Sequence, residues 1–322
     1  MSLPTPAQRI LIHGTPDAGA ARRQALRIAT DAGLDADLQS HVMLVVTEMA
    51  TNLVRHAGSG TIISGPGPIR GVVDVWSLDH GPGLPHDGVW KDGVSTRGTQ
   101  GLGLGAIRRM SDVLNVHSTR SGTILHARFG SADGRVVALQ LCADNGHECG
   151  DALRVHIHDN GGLAILADGL GHGTAAQRAA RVAVDSLHAA GPPASAMQRV
   201  SEALQGQDYL GSSAVIARIG RRLLTACSVG DARVAHIRNG TIDTIPTTLG
   251  RLGRLIERPN TVRRECIGGD VAALYTDGLE LPVALPPDVT EPGLIAGYIL
   301  RDHLDGRDDA SLVLMQVGAA AR

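Results

Sequence analysis

The segment Gln100–Asp112, QGLGLGAIRRMSD, places glycine at every second position directly before an amphipathic helical pattern. Because these glycines lack side chains, their backbone N–H groups can approach a ligand closely, and the start of a helix carries about half a positive charge. Such a loop is typical either of a tight turn or of a phosphate-binding site. The motifs that precede it in the chain decide between the two.

A helical pattern over residues 36–57 contains TEMATNLVRHAG, which places Glu48, Asn52 and His56 at successive i, i+4 positions. We therefore expect one side of a helix to carry all three side chains. Polar residues at this spacing most often form a solvated face, so the motif alone indicates little. Its position ahead of two glycine-rich segments favours a ligand-binding role.

The segment LDHGPGLP follows a predicted strand at 72–78 and places Asp79 before Gly81 and Gly83. A carboxylate at a strand end, followed by a sharp glycine turn, is a common loop design. It can also accept the hydrogen bonds of an adenine amino group. The order of carboxamide helix, D-x-G-x-G turn and G-L-G-L-G loop is more specific than any one of them, and it favours a nucleotide site.

These motifs, with GTILHARF further on, resemble the GHKL ATPases with the Bergerat nucleotide fold, and within them the small RsbT-like switch kinases of the anti-sigma-factor type. The resemblance covers about residues 8–130. It implies that Asn52 holds Mg²⁺ against the triphosphate of ATP, that Glu48 acts as general base or orients water, and that Asp79 reads adenine. It also assigns contacts with ATP to Gly81, Gly83, Gly101, Gly103, Gly105 and Thr123.

A second glycine string, ADGLGHG at 167–173, brings Asp168 directly after an apolar strand pattern, so its first functional group is a carboxylate, which favours a cation. Asp277 in TDG repeats the pattern, while Asp151 and Asp308 each stand just before a predicted strand. Each of the four could simply be a turn residue. If they converge, each pair about 5 Å apart repels by ~3 kcal/mol, and the cluster then requires bound cations. Oxygen ligands of this kind select Mg²⁺ or Mn²⁺.

The order CGD, ADGLGHG, TDG and DDAS resembles the PPM-type (2C class) metal-dependent protein phosphatases, in the bacterial branch of the stage II sporulation and RsbX-like stress phosphatases. The resemblance covers about residues 136–317. It implies that Asp151 and Asp168 are catalytic and share two metal ions. It further implies that the Gly169 carbonyl, Asp277 and Asp308 complete the ligand set, and that a metal-bound water attacks phosphoserine or phosphothreonine.

Some polar residues near these motifs are expected to have structural roles. We expect His172 to cap the following helix rather than to act near a leaving group, and His156 and His158 to face solvent. Asp309 is the less suitable metal ligand of its pair. The segment 245–270 shows no pattern of a flap over the second site, so substrate selection is expected to come from elsewhere.

Composition excludes several classes of protein. The 322 residues carry 30 basic and 32 acidic side chains and no basic run, so nucleic acid is not an expected partner. The four cysteines show no C-x-x-C pair and are expected to be buried free thiols. The chain shows neither a leader-like start nor an apolar run long enough for a membrane span, so we expect a cytoplasmic protein without membrane contact.

The predicted fold class is α+β, in two domains. An α+β layer with a mixed sheet, covered by helices and of the Bergerat type, is expected at 1–131, and turn-forming residues at 130–135 end it. Many short strands with inserted helices then predict a PPM-type αββα sandwich at 134–322.

Together the two resemblances imply a switch protein with a Ser/Thr kinase-like domain and a phosphatase domain. Both would act on a STAS-type regulator in a bacterial stress or sigma-factor pathway, and a homodimer is left open. In one alternative, the N-terminal domain binds a partner in a nucleotide-dependent way without phosphorylating it. In another, it senses ATP and gates the phosphatase.

Overall fold

The computed structural model describes residues 5–84, 103–143, 148–158, 161–187, 191–206, 210–254, 256 and 258–318. The chain forms two compact units. Unit 1 comprises Met1–Gly134 together with Gly293–Arg301, and unit 2 comprises Arg135–Pro292 together with Asp302–Arg322. The second piece of unit 1 therefore comes from a distant part of the sequence. The domain limits expected from the sequence, 1–131 and 134–322, stay a prediction.

Unit 1 contains a five-stranded sheet in the order β1-β2-β3-β5-β4. Every pairing in it is antiparallel, so the expectation of a mixed sheet was wrong. Short connections between β2 and β3 and between β4 and β5 explain two of the four pairings, because parallel neighbours need a long crossover. The strands are β1 Gln8–Ile12, β2 Gly60–Pro66, β3 Val73–Leu78, β4 Val113–Thr119 and β5 Gly122–Phe129.

Unit 1 includes the helices α1 Thr15–Ala32, α2 Ala36–Asn52 and α3 Gly103–Met110. Helices α2 and α3 correspond to the helical patterns predicted at 36–57 and after the glycine loop. Helix α2 begins where the Asp35 carboxylate accepts a hydrogen bond from the Leu38 N–H at 2.9 Å. A single π turn, Leu53–Ala57, follows α2 and changes the residue spacing. His56 is consequently exposed, while Glu48 and Asn52 are half-buried.

The two faces of the unit 1 sheet differ in chemistry. Alternate residues such as Val75 and Ala127 join the apolar core formed with α1, α2 and α3. The opposite face, which we call the outer face, carries Asp74, Trp76, Leu78, Ile124, His126 and Arg128, all of them buried.

A buried ion-pair cluster lies on this outer face. The Asp74 carboxylate accepts hydrogen bonds from Arg128 Nε at 2.7 Å and from Arg128 Nη2 at 2.7 Å, and it lies 2.9 Å from His126 Nε2. Burial raises the pKa of Asp74, but Arg128 and His126 together outweigh burial and hold it below its usual value. The sequence motifs did not indicate this cluster.

Unit 2 is built around two five-stranded antiparallel sheets, in the orders β13-β10-β9-β8-β7 and β12-β11-β14-β15-β6. Its core lies between them, where residues such as Leu166 and Val215 of one sheet join Leu274 and Val313 of the other. The strands are β6 Val136–Leu141, β7 Asp151–His158, β8 Gly161–Gly169, β9 Ser212–Ile219, β10 Leu223–Val229, β11 Arg233–Arg238, β12 Thr241–Thr244, β13 Val262–Glu265, β14 Val271–Tyr275 and β15 Ala310–Gln316.

The remaining helices are α4 Gly173–Asp185, α5 Pro193–Leu204 and α6 Pro292–Asp302. Helices α4 and α5 pack on the sheet that contains β8 and β9. The sequence did not predict strands β12 and β13, because each is only four residues long and mostly polar. Among the helices of the described segments, none has the length and apolar character needed to cross a bilayer.

Candidate functional site

The first candidate site brings together Glu48 and Asn52 of α2 with the start of α3. A Cβ atom placed on Gly103 would lie 3.0 Å from Glu48 Oε2 and 3.7 Å from Asn52 Oδ1. The backbone at the N-terminus of α3 is therefore close to a carboxylate and a carboxamide, an arrangement that suits a cation held beside phosphate. Gly105 is buried two residues further along α3, whereas Gly101 lies outside the described residues.

Asp79 forms the other end of this site, just after β3. Its Oδ1 accepts hydrogen bonds from the N–H of Gly81 at 2.8 Å and of Thr123 at 3.1 Å. Burial raises the pKa of Asp79, while these two hydrogen bonds act in the opposite direction. Within the described part of the chain, Oδ2 has no hydrogen-bond partner, and it could accept from an adenine amino group.

Two of the predicted glycines shape the turn after Asp79. Gly83 has a φ of 80°, and a Cβ there would lie 2.1 Å from the Thr119 carbonyl oxygen, so only glycine is accommodated. At Gly81 a Cβ would come within 2.8 Å of Ala57. The Thr123 hydroxyl lies 3.1 Å from the Ser118 hydroxyl, which in turn accepts the Leu84 N–H at 2.7 Å. The residues predicted for the adenine end thus lie together.

The second candidate site lies at one edge of unit 2, where the structure brings together the four predicted carboxylates. Asp151 and Asp168 face each other across the β7–β8 ladder. Asp277 follows β14 and Asp308 precedes β15, the strand paired with β14 in the same sheet. Two strand residues and two residues beside strands therefore lie at one edge, and their role as metal ligands stays a prediction.

The electrostatics of this edge indicate uncompensated negative charge. Burial, with the nearby charges of Asp277 and Asp308, raises the pKa of Asp168 to about 7. Burial and the neighbouring Asp168 raise the pKa of Asp151 well above its usual range. Burial and Asp308 also raise the pKa of Asp277. Carboxylates that repel one another in this way fit a site for divalent cations.

Neighbouring side chains hold these carboxylates in place. The Thr276 hydroxyl donates to Asp151 Oδ2 at 2.8 Å and itself accepts the Ser311 N–H at 2.9 Å. Asp309 accepts backbone N–H groups from Ala143 at 2.9 Å and from Gly150 at 2.5 Å, so it fastens the loop that precedes Asp151. Because both carboxylate oxygens of Asp309 accept backbone N–H groups, Asp309 is less available to a metal ion, which is consistent with Asp308 as the better ligand.

Sequence reasoning missed one acid at this edge. Asp231, in the tight turn between β10 and β11, adds to the charge that raises the pKa of both Asp168 and Asp277. The sequence VGDAR places Asp231 after an apolar strand and a glycine, whereas Asp168 and Asp277 come directly before a glycine.

The turn after Asp168 depends on glycine. A Cβ on Gly169 would lie 1.9 Å from the Ala176 carbonyl oxygen of α4, so the chain passes against the helix backbone only without a side chain. His172 occupies the N-cap position of α4, but its side chain makes no capping hydrogen bond, and the expected capping role was wrong in that respect. His156 and His158 are exposed, as expected.

Two tighter groups of metal-capable side chains also exist among the described residues. Cys142, Cys149 and Asp309 form one, and His236, Cys266 and Asp270 form the other. In the second, Arg238 already donates to Asp270 at 2.7 Å, which satisfies its charge. The four cysteines are buried and free, which confirms that prediction.

Two solved structures similar to this chain show its fold. One belongs to work on the bacterial stressosome and covers 56% of this chain and 98% of its own, at 23% identity and a TM-score of 0.50. The other is RsbX in complex with magnesium, which covers 64% of this chain and 100% of its own, at 20% identity and a TM-score of 0.51. RsbX belongs to the PPM branch that the sequence motifs of residues 136–317 resemble, so the predicted α+β fold class and PPM-type sandwich are confirmed.

The N-terminal part also matches known sequences. Residues 15–129 match the model of the histidine kinase-like ATPase domain. The serine/threonine-protein kinase RsbT of Bacillus subtilis (strain 168) is 31% identical over 115 residues, which are 34% of this chain and 86% of that protein. Through this segment the chain belongs to the family of histidine kinase-like ATPases that includes RsbT, here joined to a unit with the fold of the PPM-type phosphatases.

Proposed function

We propose that this protein is a bifunctional signalling switch. Unit 2 would hydrolyse phosphoserine or phosphothreonine in a partner protein with Mg²⁺ or Mn²⁺, and unit 1 would bind ATP and phosphorylate that partner. The observation that carries the proposal is the convergence of Asp151, Asp168, Asp277 and Asp308 at one edge of unit 2, where burial and mutual repulsion raise the pKa of Asp168 to about 7.

The proposed phosphatase chemistry follows from this edge. Asp151, Asp168, Asp277, Asp308 and the Gly169 carbonyl would hold two metal ions. When bound, such ions supply a water with a pKa lowered towards about 7 and neutralise phosphate charge. The protein's own part is to keep the carboxylates in position, through Thr276 beneath Asp151 and Asp309 on the preceding loop.

The proposed kinase chemistry uses the first site. Asp79 would accept the adenine amino group, and Asn52 would hold Mg²⁺ beside the phosphates at the start of α3. Glu48 would orient or deprotonate the attacking hydroxyl, since phosphoryl transfer depends mainly on positioning and charge neutralisation. The similarity to RsbT, which is named a serine/threonine-protein kinase, supports this role.

For the partner we propose a STAS-type regulator of a stress or sigma-factor pathway. Its support is the similarity to RsbT, together with the likeness of the fold to a structure from the bacterial stressosome. A kinase and a phosphatase in one chain would make the phosphorylation of such a regulator reversible.

The phosphatase claim is tested by incubating the purified chain with a phosphorylated STAS domain and Mg²⁺ or Mn²⁺. We expect phosphate release, and we expect a metal chelator to abolish it. Asp168→Asn should lower the rate of release by at least about 100-fold, the usual range for loss of an electrostatic element of a catalytic site. Asp243→Asn, which changes an exposed acid paired with Arg264, is the matched control and should keep full activity. Equal rates for Asp168→Asn and the control would end the claim.

The kinase claim needs a separate assay with the unphosphorylated STAS domain and labelled ATP. Transfer of label that Glu48→Gln abolishes, while ATP binding is kept, would support turnover. No label transfer despite ATP binding would instead favour a nucleotide-dependent binding module. Label transfer unaffected by Glu48→Gln would overturn the role proposed for Glu48.

A further inference from the structure

Helix α6 belongs to unit 1 although it lies far along the chain from the rest of that unit. Residues 293–301 pack on the outer face of the sheet, where the Trp76 indole N–H donates to the Gly293 carbonyl at 2.8 Å. The apolar residues of α6 are at most 5% exposed: Leu294, Ile295, Ala296, Ile299 and Leu300. This helix is therefore an integral part of the ATP-binding unit.

Two glycines make this close packing possible. A Cβ on Gly293 would lie 1.9 Å from His126 Nδ1, and a Cβ on Gly297 would lie 2.4 Å from Ile124 Cγ2. Glycine inside a helix costs stability relative to alanine, so its use at both contact points fits a requirement for close approach. The Trp76 ring also stacks on His126 at 4.9 Å between centroids, which gives the outer face a rigid surface under α6.

The C-terminal end of α6 reaches the residue that would read adenine. Arg301 Nη1 donates to the Asp79 main-chain carbonyl at 3.5 Å, and the Arg301 charge acts on the Asp79 carboxylate. On its other side, Asp79 is tied to Thr123 through the hydrogen bond to Oδ1. Any ligand that hydrogen bonds to Asp79 therefore acts on a residue in direct contact with α6.

The residues that follow α6 belong to unit 2 and contact the turn after Asp277. The His303 carbonyl accepts the Glu280 N–H at 3.0 Å, and the Asp305 N–H donates to the Gly278 carbonyl at 3.1 Å. These bonds fasten residues 302–305 to the turn that follows Asp277. Asp308 comes three residues later. The segment 302–308, which follows α6, is thus hydrogen-bonded to the turn after Asp277 and ends at Asp308.

We propose that α6 couples nucleotide binding at Asp79 to the phosphatase centre, so that ATP accelerates phosphate release through Arg301 and the segment 302–308. The inference rests on the proposed function of both sites. An adenine amino group that donates to the Asp79 carboxylate holds this residue in place, and the Asp79 main-chain carbonyl, which accepts from Arg301, then holds the end of α6 in place. A fixed α6 restrains the positions of Asp277 and Asp308, which raises metal affinity. Arg301 is accordingly a positioning residue.

The test measures phosphatase rates of the full chain on p-nitrophenyl phosphate at fixed free Mg²⁺. Rates are compared without nucleotide, with a non-hydrolysable ATP analogue, and with the matching GTP analogue, which chelates metal equally but lacks the adenine amino group. We expect the ATP analogue to raise kcat/KM by about 5-fold or more, in the usual range of coupling between two sites. The GTP analogue should have no effect.

Variants assign the effect to α6. Arg301→Gln should keep the rate measured without nucleotide and lose the response to the ATP analogue, while Arg70→Gln, an exposed arginine of the same unit, keeps both. Trp76→Phe retains an aromatic ring but loses the bond to Gly293, and it should weaken the response even if Arg301→Gln folds poorly. In a Trp90→Phe background, emission from Trp76 should change with the ATP analogue.

The outcomes separate the inference from the function on which it rests. A phosphatase that binds the ATP analogue, shown by fluorescence titration, yet keeps an unchanged rate refutes the coupling alone. So does a full response in Arg301→Gln and Trp76→Phe. A chain that releases no phosphate under any condition overturns the proposed function, and the coupling with it.

Discussion

Replacing Asp168 with asparagine should stabilise the metal-free protein while it destroys the proposed metal centre. Burial and the charges of Asp277 and Asp308 raise the pKa of Asp168 from an ordinary 3.8 to about 7. In the folded state a proton therefore stays on Asp168 between about pH 4 and pH 7, where the unfolded chain has already released it. Stability falls as the pH rises through this window, and the full cost is present above pH 7.

The size of the effect follows from the same pKa. A difference of about 3 pH units corresponds to about 4 kcal/mol, at roughly 1.4 kcal/mol for each unit. We take this as the upper bound, since relaxation and water entry reduce it, and expect a gain of at least about 1 kcal/mol for Asp168→Asn at pH 8. For a unit of this size, that is a rise of a few degrees to about 10 °C in the unfolding midpoint.

The assay is thermal unfolding in a chelator at pH 8 and pH 5, followed by the same measurement with saturating Mg²⁺. The variant should have a higher unfolding midpoint than the wild type at pH 8, and the difference between the two midpoints should be smaller at pH 5. Mg²⁺ should raise the midpoint of the wild type and leave the variant unchanged, because a ligand stabilises only a state that binds it. Asp243→Asn, at an exposed acid, controls for the loss of one charge.

Two results would refute the reasoning. The first is a metal-free Asp168→Asn protein that is less stable than the wild type at pH 8, which would show that the carboxylate makes favourable contacts there. The second is a stability difference that does not change between pH 5 and pH 8, which would show that ionisation of Asp168 is not its cause.

Three further predictions concern other contacts. Asp74→Asn should destabilise unit 1 by about 3–5 kcal/mol, because the buried Arg128 loses the carboxylate to which it donates two hydrogen bonds, and urea unfolding should show partial recovery in Asp74→Asn/Arg128→Met. Gly83→Ala should weaken ATP binding roughly 10-fold or more in a fluorescence titration, because the added methyl would lie 2.1 Å from a carbonyl oxygen at a φ of 80°. Thr276→Val should weaken Mg²⁺ binding about 10–100-fold by calorimetry, since Asp151 loses its 2.8 Å hydrogen bond.

Controls for these changes are available in the same chain. Thr276→Ser keeps the hydroxyl and should retain Mg²⁺ affinity; a loss equal to that of the valine variant would contradict a role for the hydrogen bond. Asp305→Asn removes an exposed pairing with Arg307 and should leave the unfolding midpoint unchanged. An unfolding curve for Asp74→Asn that overlays the wild type would show that the buried pair is not important for stability. Wild-type affinity in Gly83→Ala would mean that the turn can relax.

Local structure was largely predictable. The spacing of apolar residues predicted a helix at 36–57, where α2 spans Ala36–Asn52, and a strand at 72–78, where β3 spans Val73–Leu78. Periods of 3.6 and 2 residues are imposed by backbone geometry, so they can be read without knowing the fold. Where local geometry changed, as in the π turn at Leu53–Ala57, the same reasoning failed for His56.

The candidate sites were predictable only in part. Motifs singled out Asp79, Asp168 and Asp277 because glycine shortly after a strand-end acid is a local pattern. Asp231 follows its glycine instead, and its proximity to Asp168 depends on how β10 and β11 are placed in unit 2. Asp74 and Arg128 are 54 residues apart, and neither has a neighbour in sequence that marks it as part of a buried pair.

The sequence by itself determined the order of the motifs, the positions of most helices and strands, and the resemblance to two families, since each of these depends on residues close together in the chain. Only the tertiary structure decided that four acids meet at one edge of unit 2 and that α6 completes unit 1. The physical reason is that an apolar pattern indicates which face of a helix or strand is buried, but not which other segment of the chain packs on that face. The covering surface is decided by packing between segments that are distant in sequence, where steric fit, as at Gly293 and Gly297, selects one arrangement.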